Sequence, residues 1–392
     1  MIPTGLPPPD ADAAGHSARV QDAVDAAIRA AGDCLPFDEY MTLVLYAPGL
    51  GYYSAGSTKL GPAGDFTTAP ELSAVFGGCV ANGIAEVLAA VDGGSVLELG
   101  AGSGRLARDT LLALDRLGTR PARYEILEVS PDLRARQAEL LAGLPAALRA
   151  RVHWRESLPA AGFRGVILAN EVLDALPVRR FRVTEHGVAE LGVGGARDAR
   201  RWVTRPAPAA LEGRVRTIEA ELGRAFSAGY ESEVSAYLPG FVASLGDALE
   251  LGSILLIDYG CPRHEYYAPD RRRGTLACFY RHRMHDDPLV LEGLQDLTAW
   301  VDFTAVAEAA TARGLDIAGY TTQSQFLLDA GFTAEVERVC APLADLARLN
   351  ALSAAQTLVL PGEMGERFKC IALTRGVDVM TGFRGRDYTN RL

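Results

Sequence analysis

No stretch of the 392-residue chain approaches the roughly 20 consecutive apolar residues that a membrane-spanning helix requires, so membrane insertion is not expected. The six cysteines, Cys34, Cys79, Cys261, Cys278, Cys340 and Cys370, include no CxxC pair, and the histidines do not cluster. Neither a disulfide framework nor a metal site is therefore expected, and the thiols read as buried apolar groups. Positive charge is also short. Lys and Arg number 39 against 49 Asp and Glu, a net charge of −10 that opposes DNA or RNA by long-range repulsion and suits a cationic or neutral substrate. The opening MIPTGLPPPDADAAGHSARV lacks a basic stretch followed by an apolar one. It reads as a mobile, proline-rich start over residues 1–30, in a bacterial-type cytoplasm or an organelle matrix. Internal repeats and long low-complexity segments are absent as well.

What is present is enough chain for one elaborated domain or two tightly associated ones. Seven short apolar runs are expected as strands: Val96–Leu99, Tyr124–Val129, Val152–Trp154, Val166–Ala169, Ile254–Asp258, Leu315–Ala318 and Phe368–Leu373. Helical spacing lies between the early ones, as at Leu106, Thr110, Leu114 and Leu117, closed by Gly118 with Pro121 beyond. Such alternation predicts an α/β protein with a mainly parallel sheet and helices on both faces. Ahead of it, Thr68-Ala69-Pro70-Glu71 reads as a capping box opening one helix through Leu88. From Arg179 to about Leu251 the pattern changes to a β-hairpin turning at His186-Gly187 and two amphipathic helices, an insertion in the sheet domain.

The stretch VLELGAGSGRL carries Gly100, Ala101, Gly102 and Gly104 directly after a strand that ends near Glu98. Glycines there let a ligand approach the backbone and the following helix N-terminus. In the dinucleotide fingerprint GxGxxG the third glycine would fall at position 105, which is Arg; the form here is E-x-G-x-G-x-G. That form resembles motif I of class I S-adenosylmethionine-dependent methyltransferases. The second strand, YEILEVSP, ends in Glu128 with Val129 beside it, where a carboxylate can accept both ribose hydroxyls of a nucleoside. A tight connection without ligand is the alternative for the glycines, and a solvated strand end for Glu128.

The run GVILANEVLDALPVRRF places Asn170, Glu171 and Asp174 just past a strand, at the crevice where such sheets bind ligands. Asn170 then holds the cofactor or the acceptor nitrogen, and Glu171 faces the substrate. The alternative is an N-cap asparagine with acids favoured by the helix dipole. Together with FDEYMTLVLYAPGLGYYS, GDFTTAPELSAVFG, IDYG, FYRHRMHDDPLV, QDLTAWVDF and PGEMGERF, these segments resemble the MidA-like family from about Phe37 to Leu373. That family contains the mitochondrial complex I assembly factor that methylates protein arginine.

The resemblance implies a class I, Rossmann-like methyltransferase fold with S-adenosyl-L-methionine as donor and S-adenosyl-L-homocysteine as product. It also implies a protein arginine acceptor, with a respiratory NADH dehydrogenase subunit as the natural partner. The expected organisation is a helical cap over the cofactor site at 31–95, a core of 96–180 and 251–375, a substrate-side insertion at 181–250 and a C-terminal extension at 376–392. Asp65 and Thr67, in GDFTT, are expected to close over the cofactor, or else to form a simple turn.

A guanidinium, with a pKa above about 12 and a delocalised lone pair, is a poor nucleophile. Carboxylates help by forked hydrogen bonds that orient it and draw its charge away from the reacting nitrogen. Glu171 is expected as the principal such group, with Asp174 or Asp258 as the second; better-known arginine methyltransferases use two glutamates on one loop, whereas this chain has N-E-V-L-D. RHRMHDD, by its place in the family pattern, reads as a loop over the active site in which His282 or His285 contacts substrate or orders the loop, or as a salt-bridged structural loop. Arg271-Arg272-Arg273 reads as a solvated run. A small-molecule methyltransferase and a non-catalytic assembly protein that retains the pocket are the competing functions.

Overall fold

All seven apolar runs become strands of one sheet. The computed structural model describes residues 5–54, 67–378 and 381–392. The strands are β1 (Ser95–Leu99), β2 (Tyr124–Leu127), β3 (Val152–Arg155), β4 (Phe163–Asn170), β5 (Leu249–Cys261), β6 (Asp316–Thr322) and β7 (Phe368–Arg375). Their order across the sheet is β6-β7-β5-β4-β1-β2-β3. The pairs β5–β4, β4–β1, β1–β2 and β2–β3 are parallel, and β7 runs antiparallel to both β5 and β6. This is the expected class I methyltransferase arrangement. Strands such as β4 are buried through their centre, GVILA, as parallel strands covered on both faces must be.

Packing separates the chain into two compact units, one formed by Thr67–Leu173, Gly240–Gly260 and Phe303–Leu392. Its core joins the sheet to the helices around it through Val75, Phe76, Val80, Ile84, Leu111, Leu114, Ile126, Leu168 and Ile257. The single helix expected from Thr68 is divided in two. Ala69–Leu72 forms one turn, Ser73 is extended (φ −156°, ψ 137°), and Ala74–Ala90 starts afresh with the Ser73 side chain accepting from Val75 N. Thr68 makes no side-chain cap; the Glu71 N–H donates instead to Thr68 O at 3.0 Å. The expected C-terminal extension instead packs on this unit: Phe383 is buried edge-on to Phe326 at 5.5 Å, and Asp387 Oδ1 accepts from Tyr320 N at 2.9 Å. Edge strand β6 is thereby covered, which removes an open ladder.

The other unit gathers the described residues up to 54 with Asp174–Pro239 and Cys261–Asp302. The chain thus divides differently from the sequence reading. Residues 31–54 join the insertion, and 261–302 leaves the expected core. The start expected to be mobile holds a helix, Ala11–Ala30, capped by Asp10, with Val20, Val24 and Ile28 buried at a spacing of four. The hairpin forms as expected, Arg179–Thr184 against Gly187–Gly194 with Thr184 opposite Gly187; of the two expected helices Ala209–Glu221 lies in this unit, whereas Leu238–Ala248 belongs from Gly240 onward to the sheet unit. Strands Leu35–Pro36, Arg201–Pro206 and Glu231–Val234 extend this sheet. The latter two escaped sequence reading because they carry ion-paired residues: Arg205 donates to buried Glu190 at 2.7 Å, and Arg182 to Glu231 at 2.8 Å. Segment Ala277–Thr298 forms a second, three-stranded sheet in which Arg281 and His282, both at positive φ, make the turn between Ala277–Tyr280 and Arg283–His285.

Candidate functional site

The register of the parallel strands brings their carboxyl ends into line: Leu99 lies opposite both Leu127 and Ala169, and Asn170 opposite Ile257. Residues that follow these strands therefore share one edge of the sheet, which gathers the glycine turn, Glu128, Asn170, Glu171 and Asp258. The turn uses its glycines fully. Gly100, Gly102 and Gly104 have φ of 61°, 52° and 86°, the left-handed region that other L-residues enter at a cost. Gly100 N donates to Leu127 O and Gly104 N closes the turn onto Ala101 O. Helix Arg105–Arg116 begins with Gly104 as its cap residue and has no side-chain cap.

The residue that reaches this turn from the upstream segment is Glu71. Its carboxylate accepts from Ser103 Oγ and stands 3.0 Å from Arg105 Nε, and its side chain is nearly buried. That engagement explains why Glu71 does not complete a capping box. Thr67 is exposed, and Asp65 lies outside the described residues.

Glu128 is 6% exposed. Its Oε1 accepts from Ser130 N at 3.0 Å and its Oε2 from Gln137 Nε2 at 3.1 Å. Next to it Val129 is 71% exposed, an apolar side chain left in the open beside a buried acid. Glu98 is buried as well, and accepts from the Tyr124 hydroxyl at 2.6 Å. Burial lifts its carboxyl to about 7, against the Tyr124 hydrogen bond, which lowers it; the charge of Glu128 adds a smaller upward push.

Beyond β4 the backbone turns sharply. Glu171 has φ 54° and donates its N–H to Ile257 O at 2.9 Å. Asn170 Nδ2 donates to Glu171 Oε1 at 3.0 Å, while Asn170 Oδ1 is buried with no hydrogen-bond partner among the described residues. Asp258, fully buried, accepts from Val172 N at 3.1 Å and Leu173 N at 2.8 Å through Oδ2, and from Tyr259 N at 2.9 Å through Oδ1. A carboxylate bound to three backbone amides is a brace for the turn. Asp258, expected as a possible second acceptor-facing carboxylate, is engaged here with the backbone.

Asp174, His282 and His285 belong to the other unit. Asp174 is buried and its carbonyl accepts from Ala299 N at 3.0 Å. His282 is exposed at the hairpin turn; His285 is half-buried, and burial lowers its pKa. The Arg271 guanidinium lies 4.2 Å from the centroid of the Trp300 ring, so this part of the arginine run is packed rather than simply solvated.

Sequence reasoning missed Glu71, Tyr124, Gln137 and Trp154. Gln137 left a signal. The buried residues of helix Pro131–Ala142 are Leu133, Gln137 and Leu141, so a polar amide stands in the apolar stripe at a spacing of four, where a satisfied partner is required.

The donor groups of S-adenosylmethionine, an ammonium and two ribose hydroxyls, fit this edge. Asn170 Oδ1 is a buried acceptor lacking a donor among the described residues, Glu128 is an acid held at a strand end, and the glycine turn admits close approach.

Residues 79–321 match a family of S-adenosyl-L-methionine-dependent methyltransferases. The mitochondrial protein arginine methyltransferase NDUFAF7 of Danio rerio is 31% identical over 368 residues, 84% of this chain and 81% of that protein. Its homologue in Drosophila melanogaster is 29% identical over 381 residues, 88% and 82% of the two chains. A Burkholderia thailandensis protein solved bound to S-adenosyl-homocysteine is 42% identical with a TM-score of 0.92, covering 99% of this chain and 100% of that one. With the strand order, the glycine turn and the acid after β2 in place, the chain belongs to the MidA-like family of S-adenosylmethionine-dependent methyltransferases.

Proposed function

We propose that the chain methylates an arginine side chain of a protein, with Glu171 as the carboxylate that orients the guanidinium. The observation that carries this reading is the geometry of Glu171: a non-glycine residue at φ 54° whose backbone is tied to Ile257 and whose carboxylate is met by Asn170. Such backbone strain persists only where surrounding structure enforces it, and it gathers at functional sites. The Danio rerio and Drosophila melanogaster relatives, both named protein arginine methyltransferases, support the choice of acceptor.

S-adenosylmethionine, when bound, supplies an electrophilic methyl group. In-line displacement then needs alignment more than covalent help, and alignment is what these residues provide. Asp258 braces the turn at Val172 and Leu173, Asn170 fixes the Glu171 carboxylate, and Glu171 draws positive charge toward the guanidinium nitrogens that do not react. Asp174 is the remaining candidate for a second carboxylate, and His282 and His285 are the substrate-side groups of the proposal. The acceptor protein is, by family resemblance, a subunit of a respiratory NADH dehydrogenase, in a bacterial cytoplasm or an organelle matrix.

The test is incubation of the protein and labelled S-adenosylmethionine with lysate from cells lacking the protein, followed by mass spectrometry. A labelled arginine peptide is expected. A labelled metabolite instead would make the chain a small-molecule methyltransferase, and cofactor binding without labelled product would make it a non-catalytic assembly protein.

A further inference from the structure

The best-determined side chain at this edge is one that no motif contains. Gln137 is fully buried. The Trp154 indole N–H, which can only donate, donates to Gln137 Oε1 at 2.9 Å. That contact settles which end of the amide is which, a matter otherwise ambiguous for glutamine. Nε2 must then be the group at 2.9 Å from Gly102 O and 3.1 Å from Glu128 Oε2, and it donates to both. The same side chain packs under the last glycine, since a Cβ on Gly104 would stand 3.3 Å from Gln137 Cγ. One side chain thus meets the glycine turn and the carboxylate after β2: its amide bonds Gly102 O and Glu128, and its methylene lies beneath Gly104.

We infer that Gln137 is a positioning residue for cofactor binding. Oriented by Trp154, it sets the plane of the Glu128 carboxylate toward the ribose hydroxyls and fixes the glycine turn relative to that carboxylate. The inference rests on the reading of Glu128 as the ribose-binding acid. Glutamine suits the task because it donates twice and accepts once within a buried space; a glutamate there would meet Glu128 as a like charge, and a methionine would fill the volume without donating.

The experiment is calorimetric titration of S-adenosyl-homocysteine and its 2′-deoxyribose analogue into the wild-type protein, Gln137→Met, Trp154→Phe, the double variant and Glu128→Gln. Gln137→Met is expected to raise the Kd for S-adenosyl-homocysteine about tenfold, the scale of losing a hydrogen bond to a charged group. Trp154→Phe, which retains an aromatic ring and frees the amide to turn over, raises Kd a few-fold and adds nothing in the Gln137→Met background. The wild-type preference for the ribose over the 2′-deoxyribose ligand should shrink in Gln137→Met to the level of Glu128→Gln, a change that mere loss of stability does not produce. Unchanged affinity and preference in Gln137→Met, with both reduced in Glu128→Gln, would overturn the inference alone. Unchanged affinity and preference in Glu128→Gln would overturn the reading of Glu128 on which it rests.

Discussion

Asp258 Oδ2 accepts the backbone N–H of Leu173 at 2.8 Å, holding the turn that follows Glu171 from a neighbouring strand. A buried acid whose oxygens meet backbone amides fixes backbone shape, and here the shape is that of the segment bearing the proposed acceptor-facing carboxylate.

Asp258→Asn is isosteric but replaces one acceptor oxygen with a donor facing an N–H. A loss of about 2 kcal/mol of stability is expected, the scale of hydrogen bonds to a charged group. Urea unfolding measures it; a change below about 0.5 kcal/mol would mean that the brace is dispensable.

Glu171→Gln keeps the size of the side chain and removes its charge. Methyl transfer should fall at least about a hundredfold, the scale of losing a charge-assisted contact made at the reacting group, with the Kd for S-adenosyl-homocysteine within about twofold of wild type. Transfer at the wild-type rate would remove Glu171 from the mechanism.

Gly104→Ala places a Cβ at φ 86° and 3.3 Å from Gln137 Cγ. Strain of about 1–2 kcal/mol is expected from the left-handed backbone, together with weaker cofactor binding as the turn and Gln137 shift. Thermal unfolding with and without S-adenosyl-homocysteine reads both effects, and a variant that matched wild type in each would show that the turn tolerates a side chain.

Glu98 supplies a pH dependence. Its carboxyl is raised from 4.5 to about 7, chiefly by burial. Between those values the folded chain retains a proton that the unfolded chain has released, so this contribution to stability is complete below pH 4.5 and is lost as pH rises through about 7. Glu98→Gln stays neutral and can still accept from Tyr124. Relative to wild type, the variant should therefore gain stability between pH 5 and pH 8, by on the order of 3 kcal/mol at most. Parallel stability curves for the two proteins over that range would contradict a carboxyl raised by burial.

The seven strands were legible because a strand covered on both faces must be apolar through its buried centre, as GVILA of β4 and ILLI of β5 are. The second unit was harder to read. Its strands carry Glu190, Glu231 and Glu233, acids that become tolerable only when Arg205, Arg182 and Arg180 reach them from neighbouring strands, and no local pattern announces such pairing. The break at Ser73 was hidden for a related reason. Thr68 and Glu71 satisfy the spacing of a capping box, yet Glu71 finds a hydroxyl at Ser103 and a guanidinium at Arg105, both distant in sequence.

By itself the sequence determined the sheet, the left-handed glycine turn and the acid after β2, because each depends on residue type at short range: apolar runs, absent Cβ atoms and a carboxylate at a strand end. Tertiary structure alone decided what the polar groups at that edge do. Asp258 accepts from three backbone amides, Glu98 is an acid whose carboxyl burial raises, and Gln137 links turn and carboxylate, since the role of a buried polar group is set by the partners that burial leaves within reach.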